Sequence, residues 1–258
     1  MPEGAFKISP SRLSRFFDKT SGWYRECLLK EEGARFQGND NSHLGTVVHG
    51  LAEMYVKEGK ADFAKAEAYI TSIKDPDIDK EYIRSNYPHM FEALRGFFLE
   101  ELPEGTKSEP FMNMPINEAR KIYLGGSIDL LLPNQIVDFK TTSALSAPSR
   151  IPRNYWFQQM CYVYMARSAG MNIDSFALVY VTTDQVGRIS EKTGKPMKDY
   201  PATASILEHI VTDDDMRIIT DVVRLVSDSV ICWQDNPDMR YLLAQDLRLK
   251  TASTQLFV

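Results

Sequence analysis

The sequence predicts a mixed α/β (α+β) fold with a helical N-terminal extension and a C-terminal helix. Three observations predict it. Apolar side chains follow helical spacing through most of the first 100 residues, three short runs between residues 109 and 141 have the composition of strands, and a helix and a further strand follow them. The order helix, three strands, helix, strand is typical of a sheet covered by helices.

The chain is long enough for one large domain. Its 258 residues are 43% hydrophobic, which can fill a sizeable core. We expect a single domain over residues 1–258, made of a mainly helical part that carries His49 (1–105), a sheet and helix (106–183), and a hairpin loop with the C-terminal helix (184–258). The sequence has no apolar run of about 18 residues and no signal peptide, so we expect a soluble, cytoplasmic protein.

The N-terminal helices are predicted from start signals and apolar spacing. Ser9 and Pro10 suit the N-cap and the first position of a helix that ends near Thr20-Ser21-Gly22. A second helix follows the apolar pattern from His43 until Gly59 stops it. Two more helices are expected over residues 63–73 and 82–99.

The remaining elements are bounded by turn-forming residues. They are strands at 109–116, 121–132 and 135–141, a helix at 154–168, a strand at 175–182, a loop at 186–201 and a helix from Thr212 to about Trp233. The loop is rich in glycine, proline and lysine, which indicates a mobile hairpin tip. The terminal TQLFV is expected to fray, with docking of a partner as the alternative.

The cysteines indicate a reduced protein. Cys27, Cys161 and Cys232 are widely spaced and odd in number, which fits neither a disulfide framework nor a close-spaced zinc site. We expect all three to be thiols in the core.

Basic residues cluster locally although the net charge is −5. Four of them fall in the acid-free stretch between residues 138 and 174, namely Lys140, Arg150, Arg153 and Arg167. The N-terminal stretch adds Lys7, Arg12, Arg15 and Lys19 against Asp18 alone. The net charge argues against a protein coated with phosphate-binding residues, but the clusters predict a local electropositive face of the kind that nucleic-acid binding needs. Ordinary solvated charges are the alternative.

The central hairpin GGSIDLLLPNQIVDFKTT, residues 125–142, carries charged residues on strands that are otherwise apolar. Side chains two residues apart share a face of a strand, so Asp138 and Lys140 point the same way. If the turn has an even number of residues, two at Pro133-Asn134 or four, Asp129 lies directly across from Asp138, with β-carbons roughly 5 Å apart. A three-residue turn would place the two carboxylates on opposite faces.

Two ionised carboxylates at this separation repel each other unless a proton or a cation lies between them. Mg²⁺ takes oxygen ligands and keeps several waters, so it suits such a pair. Lys140 is then placed to hold or activate one of those waters for attack on phosphorus. The alternative is a surface hairpin with an exposed ion pair, a contact that contributes only about 0 to 1 kcal/mol.

Four short motifs stand in order along the chain: GTVVH ending at His49, GSID ending at Asp129, DFK from Asp138 to Lys140, and QQMCY from Gln158 to Tyr162. The N-terminal ISPSRLSRFF precedes them. Together they resemble the PD-(D/E)XK nuclease superfamily, specifically the branch with the RecB nuclease domain, the RecB-like exonucleases of CRISPR systems and phage exonucleases. The resemblance spans about residues 8–182. It implies a restriction-endonuclease-like αβββαβ core with a central mixed sheet flanked by helices.

The resemblance implies a role for each matching residue. Asp129 and Asp138 would bind the metal together with the backbone carbonyl of Phe139, His49 would be a further ligand, and Lys140 would position the attacking water. Candidate contacts to DNA, or supports of the metal ligands, are Gln158, Tyr162, Thr141, Arg150 and Arg153. Glu109 is a weaker candidate for an acid that contacts the metal ligands but not the metal itself. The alternative is a solvated glutamate at the end of a strand. His49 also suits a satisfied core histidine, and Gln158 and Tyr162 a helix flank beside the core.

The implied activity is Mg²⁺- or Mn²⁺-dependent exonuclease cleavage of single- or double-stranded DNA from a linear end, in recombination, repair or phage DNA processing. The location would be a bacterial cell or a phage-infected host. The implied partner is a single-strand annealing or binding protein. No membrane association is implied, and the resemblance is compatible with an oligomer. Some members of this branch hold an iron-sulfur cluster through four cysteines, but only Cys27 and Cys232 flank the core here, so no cluster is expected. The alternatives are an inactive DNA-binding or assembly subunit and an endonuclease or RNA-cleaving enzyme of the same fold.

Overall fold

The N-terminal segment forms a short strand and a helical run. The computed structural model describes residues 3–18, 20–29, 38–190 and 192–236, so Lys19 and the TQLFV tail lie outside the described residues. Strand β1 (Phe6–Ile8) precedes helices α1 (Pro10–Asp18) and α2 (Thr20–Tyr24), and a π-helical turn (Arg25–Leu29) follows.

Helix α1 ends at Asp18, close to the predicted end near Thr20-Ser21-Gly22, but α2 and the π-helical turn after it were not predicted. Trp23 and Tyr24 of α2 are both buried and pack against Trp233, with ring centroids 5.8 and 5.5 Å away. Most of the stability of short helices comes from such tertiary packing, which local sequence does not report.

Three further helices cover one face of the central sheet, as predicted. Helix α3 (Asp40–Glu58) begins at the N-cap Asn39 and ends at Gly59, whose φ of 69° is the left-handed conformation that glycine adopts readily. Helices α4 (Phe63–Ser72) and α5 (Lys80–Phe97) begin at aspartate N-caps. Their buried side chains form one core cluster with that face of the sheet.

Eight strands form two sheets within the described residues. The smaller sheet has the order β1-β4-β3, with β3 (Phe111–Asn117) antiparallel and β1 parallel to β4 (Ile122–Ser127). The larger sheet has the order β2-β5-β6-β7-β8, formed by β2 (Lys107–Ser108), β5 (Leu130–Leu131), β6 (Gln135–Thr142), β7 (Ser175–Thr182) and β8 (Ala204–Ile210). Strands β6 and β7 are parallel and the other neighbours are antiparallel.

The stretch predicted as one strand over residues 121–132 is two strands in different sheets. Strand β4 ends at Ser127 and β5 begins at Leu130, so Ile128 and Asp129 form the crossover. The predicted start of the first strand at Glu109 is also wrong. Glu109 lies between β2 and β3 with a φ of 52°, and its backbone N–H donates to the Asp129 carbonyl over 3.1 Å.

The second face of the larger sheet is covered by helix α6 (Arg153–Ser168), which packs between this face and helices α1 and α7 (Asp213–Asp235). Because both faces are covered, every residue of β7 is buried, as in other parallel strands at the centre of a sheet. The mixed α/β core is therefore confirmed, although five strands rather than three lie between α5 and α6.

Several features near the C-terminus differ from the predictions. Strand β8, which follows the loop at 186–201, was not predicted. Isolated β-bridges join Gln185 to Tyr200 and Ile189 to Pro196 across this loop. Cys27 and Cys161 are buried, but Cys232 is exposed on α7, so the prediction of three core thiols fails for Cys232. None of the helices within the described residues is long and apolar enough to cross a membrane.

Candidate active site

A two-residue turn sets the register of the central hairpin. The Leu132 N–H donates to the Gln135 carbonyl over 2.9 Å, which leaves Pro133 and Asn134 as the turn. Leu130 pairs with Val137 and Leu131 with Ile136. Continued by one residue, this register brings Asp129 opposite Asp138. The expected even turn length is therefore confirmed.

Asp129 lies where the chain leaves the larger sheet, and three groups hold it there. Its Oδ2 accepts a hydrogen bond from the Phe139 N–H over 2.8 Å and lies 3.3 Å from His49 Nδ1. Its carbonyl accepts the Glu109 N–H. His49 reaches this position from α3, on the opposite side of the sheet from α6. The hairpin and α3 thus bring together a carboxylate and an imidazole that are 80 residues apart in the sequence.

Asp138 and Lys140 project from β6 towards α6. The Asp138 side chain is only 6% exposed, and its Oδ2 forms an ion pair with the Lys140 ammonium. Gln158 bridges the two residues, since its Nε2 donates to Asp138 Oδ1 and its Oε1 accepts from Lys140 Nζ, both over 3.4 Å. The alternative of an exposed surface ion pair is thereby excluded for Asp138 and Lys140.

Tyr155 is a neighbour of the site that the sequence analysis missed. The Lys140 ammonium lies 4.5 Å from the centroid of the Tyr155 ring, a cation–π geometry. The available signal was its position three residues before Gln158, which places both side chains on the same face of α6.

Tyr162 lies one helical turn beyond Gln158 and is buried against the smaller sheet. A β-carbon at Gly126 would lie 3.0 Å from Tyr162 Oη and 3.1 Å from Pro10 Cδ. Glycine at this position of β4 is what allows the tyrosine to approach. Burial raises the pKa of the Tyr162 phenol, and the nearby carboxylates of Asp138 and Asp129 raise it further. Tyr162 therefore stays protonated beside the site.

Electrostatics couple the ionisable groups of the site. Burial lowers the pKa of His49, but the Asp129 carboxylate outweighs burial and raises it. Burial raises the pKa of Asp129, and His49 outweighs this effect, so the pKa is lowered. Burial dominates at Asp138 and raises its pKa despite Lys140. At Lys140 burial acts to lower the pKa, and Asp138 raises it more. The four residues form two charge pairs in one cluster that is buried at Asp138 and open to the surface at His49.

A surface groove of 550 Å³ opens beside His49, between α3 and the end of β6. Its lining includes Gly45, Glu109 and Thr141. Burial raises the pKa of Glu109 to about 7, and the Asp129 carboxylate adds to the increase. Thr141 and Glu109 thus border the site from the groove side, and within the described residues neither side chain forms a hydrogen bond with the two carboxylates.

The candidate site lies within a match to one protein-family model. The model of the PD-(D/E)XK nuclease superfamily matches residues 7–230, which include every residue of the candidate site. The chain belongs to the PD-(D/E)XK nuclease superfamily. A search of curated proteins gave no match.

Solved structures were also compared with this PD-(D/E)XK nuclease. A proposed exonuclease from Eubacterium rectale has the same fold and aligns with a TM-score of 0.52 and 12% identity, over 88% of this chain and 80% of its own. A phage-related exonuclease from Haemophilus somnus 129PT aligns with a TM-score of 0.36 and 12% identity, over 89% and 97% of the two chains. An alkaline exonuclease from Laribacter hongkongensis gives 0.33 and 13%, over 78% and 94%.

Members of the PD-(D/E)XK nuclease superfamily generally use divalent metals such as Mg²⁺, and the donor atoms here can be compared with what such an ion needs. In the described part of the chain, no three His, Cys, Asp or Glu side chains are arranged as a finished metal cage. Asp129 and Asp138 instead hold His49 and Lys140. Asp138 Oδ2 is buried and accepts no hydrogen bond of regular geometry from described residues. Two carboxylates, a carbonyl and an imidazole are donors that Mg²⁺ or Mn²⁺ accepts, so the residue types fit.

The basic face of this PD-(D/E)XK nuclease is smaller than predicted. Arg12 and Arg15 both pair with Glu26, which lies just beyond the basic N-terminal stretch. Arg167 donates to the Ile173 carbonyl. Arg150 and Arg153 lie at the N-terminal end of α6, are exposed, and form no ion pair with any described residue. The structure therefore leaves these two arginines as the free cations near the site within the described residues.

Proposed function

We propose that this PD-(D/E)XK nuclease is a Mg²⁺- or Mn²⁺-dependent DNA exonuclease that hydrolyses phosphodiester bonds at linear ends. One observation carries the proposal, namely the hairpin register that brings Asp129 opposite Asp138, with Lys140 on the same face of β6. Two carboxylates and an ammonium at one buried point match the need to bind a cation and a water beside a phosphate.

The metal would be held by Asp129, Asp138, the Phe139 carbonyl and His49. When bound, such an ion lowers the pKa of a water and neutralises negative charge on the phosphate. A metal binds the neutral imidazole, and Asp129 raises the pKa of His49, so metal binding competes with protonation of His49.

Lys140 has the central role among the protein groups. Its ammonium donates hydrogen bonds and stays charged beside Asp138, so it can hold the attacking water or a phosphate oxygen as negative charge develops. Gln158 orients both Lys140 and Asp138 through its amide. The water oxygen gives up a proton and forms a bond to phosphorus as the ester P–O bond breaks, and the leaving oxygen takes up a proton.

The test is a nuclease assay with separately end-labelled linear DNA and covalently closed circular DNA, in Mg²⁺ or Mn²⁺. We expect a ladder from linear DNA, no cut in the circle, and a loss of about 10²- to 10⁴-fold in rate for Asp138→Ala and Lys140→Ala. Asp221→Ala, which removes an exposed carboxylate of α7, is the matched control. A Lys140→Ala variant as active as the parent would refute the assignment, and cleavage of the circle would indicate an endonuclease.

A further inference from the structure

A second groove lies at the N-terminal end of α6, on the segment that connects β6 to this helix. It has a volume of 760 Å³ and is lined by residues 148–153 and Trp156. The groove is distinct from the one beside His49. It combines two arginines with one aromatic ring, and the mechanism above uses none of these side chains.

The arginines give the groove its charge. Arg150 and Arg153 are exposed, and no carboxylate among the described residues pairs with either of them. Other exposed arginines, such as Arg217 and Arg224, pair with aspartates on their own helix. The Arg153 guanidinium lies 5.4 Å from the Phe157 ring, which holds it at the rim. Two unpaired guanidinium groups at one groove favour an anionic ligand, and phosphate is the anion that arginine binds in fork geometry.

The aromatic ring gives the groove its shape. Trp156 is half-buried, and an edge contact to Phe157 at 5.1 Å fixes its orientation. It lines the groove together with the rings of Pro148 and Pro152. An indole fixed in this way can stack on a flat ligand at little entropic cost.

The groove adjoins the candidate active site through α6. The same helix carries Arg153 in the groove and Gln158 at Asp138, five residues apart. With a rise of 1.5 Å per residue, these positions are about 7.5 Å apart along the axis. Five residues also correspond to a net rotation of about 140° around the axis, so a nucleic-acid strand in the groove would reach Lys140 around the N-terminal end of α6.

We propose that this groove binds a single DNA strand beside the bond that is cut, with an unpaired base stacked on Trp156 and phosphates on Arg150 and Arg153. Bases within a duplex stack on each other and offer no free face to an indole, so the groove selects single-stranded DNA. The inference rests on the proposed nuclease function for the identity of the ligand.

The test measures binding of a fluorescein-labelled oligothymidylate to the parent in EDTA, by anisotropy and by tryptophan fluorescence. Trp23 and Trp233 are only 2% and 6% exposed, so quenching reports on Trp156. We expect Trp156→Leu to weaken binding about 5- to 100-fold and to abolish quenching. Trp156→Phe should keep most of the affinity. Arg150→Ala/Arg153→Ala should reduce the slope of log K against log salt by about 1.4, since each single-strand phosphate contact contributes about 0.7.

The control is Arg217→Ala/Arg224→Ala, which removes the same charge on α7 and should keep the parental slope. An unchanged salt slope in the Arg150→Ala/Arg153→Ala variant overturns the proposal even if Trp156→Leu fails to fold. Equal quenching by a blunt duplex overturns the single-strand selectivity. If the oligonucleotide binds here but the nuclease assay gives no product, the proposed function fails and the groove assignment stands. If the assay gives product but no oligonucleotide binds in the groove, the groove assignment fails and the proposed function stands.

Discussion

The backbone N–H of Phe139 donates a 2.8 Å hydrogen bond to the carboxylate of Asp129. Strand β5 begins at Leu130, so this bond, rather than the sheet ladder, holds Asp129 against β6. The same carboxylate oxygen faces His49. One side chain therefore links the hairpin, the neighbouring strand and helix α3 at the point where the metal would bind.

Asp129→Asn and Asp129→Ala separate the structural role of this residue from its role in metal binding. Asparagine can still accept the Phe139 N–H but has no charge, so we expect a melting temperature near that of the parent and Mn²⁺ binding weakened at least about tenfold. Alanine should lose both. Titration calorimetry with Mn²⁺ and thermal melting measure the two effects. Mn²⁺ binding by Asp129→Asn at parental affinity would contradict the ligand assignment.

Gln158→Ala should lower the nuclease rate about 10- to 100-fold, because its amide holds both Asp138 and Lys140. The adjacent Gln159 supplies the control. Gln159 is fully buried, and neither of its amide atoms has a hydrogen-bond partner among the described residues. Gln159→Met should leave the rate unchanged and stability equal or higher. If Gln158→Ala has the same nuclease rate as Gln159→Met, Gln158 does not position Asp138 and Lys140.

Tyr155→Leu should reduce the nuclease rate about 2- to 30-fold, since the cation–π contact with Lys140 is worth about 0.5 to 2 kcal/mol. Tyr155→Phe keeps the ring and should retain nearly all activity. The measurement is kcat for both variants on the same labelled DNA. Equal losses in both variants would point to the hydroxyl group instead of the ring face.

Two glycines of α3 predict opposite effects on stability. Gly50 has no neighbour within 4 Å of an added β-carbon, so Gly50→Ala should stabilise the protein by up to about 1 kcal/mol through helix propensity. At Gly45 the β-carbon would lie 3.0 Å from Thr141 Oγ1, so Gly45→Ala should forfeit this gain or destabilise by about 1 kcal/mol. Urea unfolding measures both. Equal gains would show that α3 does not press on β6 at this point.

The capping box of α7 predicts a pH-dependent contribution to stability. Burial acts to raise the pKa of Asp215, but hydrogen bonds from the Thr212 N–H and hydroxyl and from His209 outweigh it and hold the pKa below its ordinary value of 3.8. A carboxyl group with a lower pKa in the folded state stabilises the protein at pH values above its pKa in the unfolded state. This contribution disappears as the pH falls through the pKa of the folded state. Asp215→Asn should therefore cost about 1 kcal/mol at pH 7 and less at pH 3, in urea unfolding. A cost that does not depend on pH would exclude the charge as its source.

Elements with local end signals were predictable from the sequence. Gly59 ends α3, and Thr212 begins α7, because a left-handed C-cap and a side-chain N-cap are properties of a few adjacent residues. The facing carboxylates were predictable for a similar reason, since the parity of one short turn decides them.

Features that depend on distant contacts were not predictable. Strand β8 exposes Ile206 and Ile210, so its pattern does not alternate between apolar and polar residues. The crossover at Ile128 and Asp129 has no local signal, because a strand that changes sheets keeps its composition. Tyr155 became a candidate only through its contact with Lys140, and the pairing of Arg12 and Arg15 with Glu26 arises from the unpredicted continuation of the first helices.

The turn formed by Pro133 and Asn134 has a consequence at the level of the gene. Deleting or inserting one codon there would turn β5 over, exchange the two leucines between opposite layers of the core and direct Asp129 away from its partner. A two-codon insertion preserves all three relationships. We therefore expect functional variants of this protein to differ in the length of this turn by two residues. The parity of the turn length thus decides both the packing of β5 and the position of Asp129.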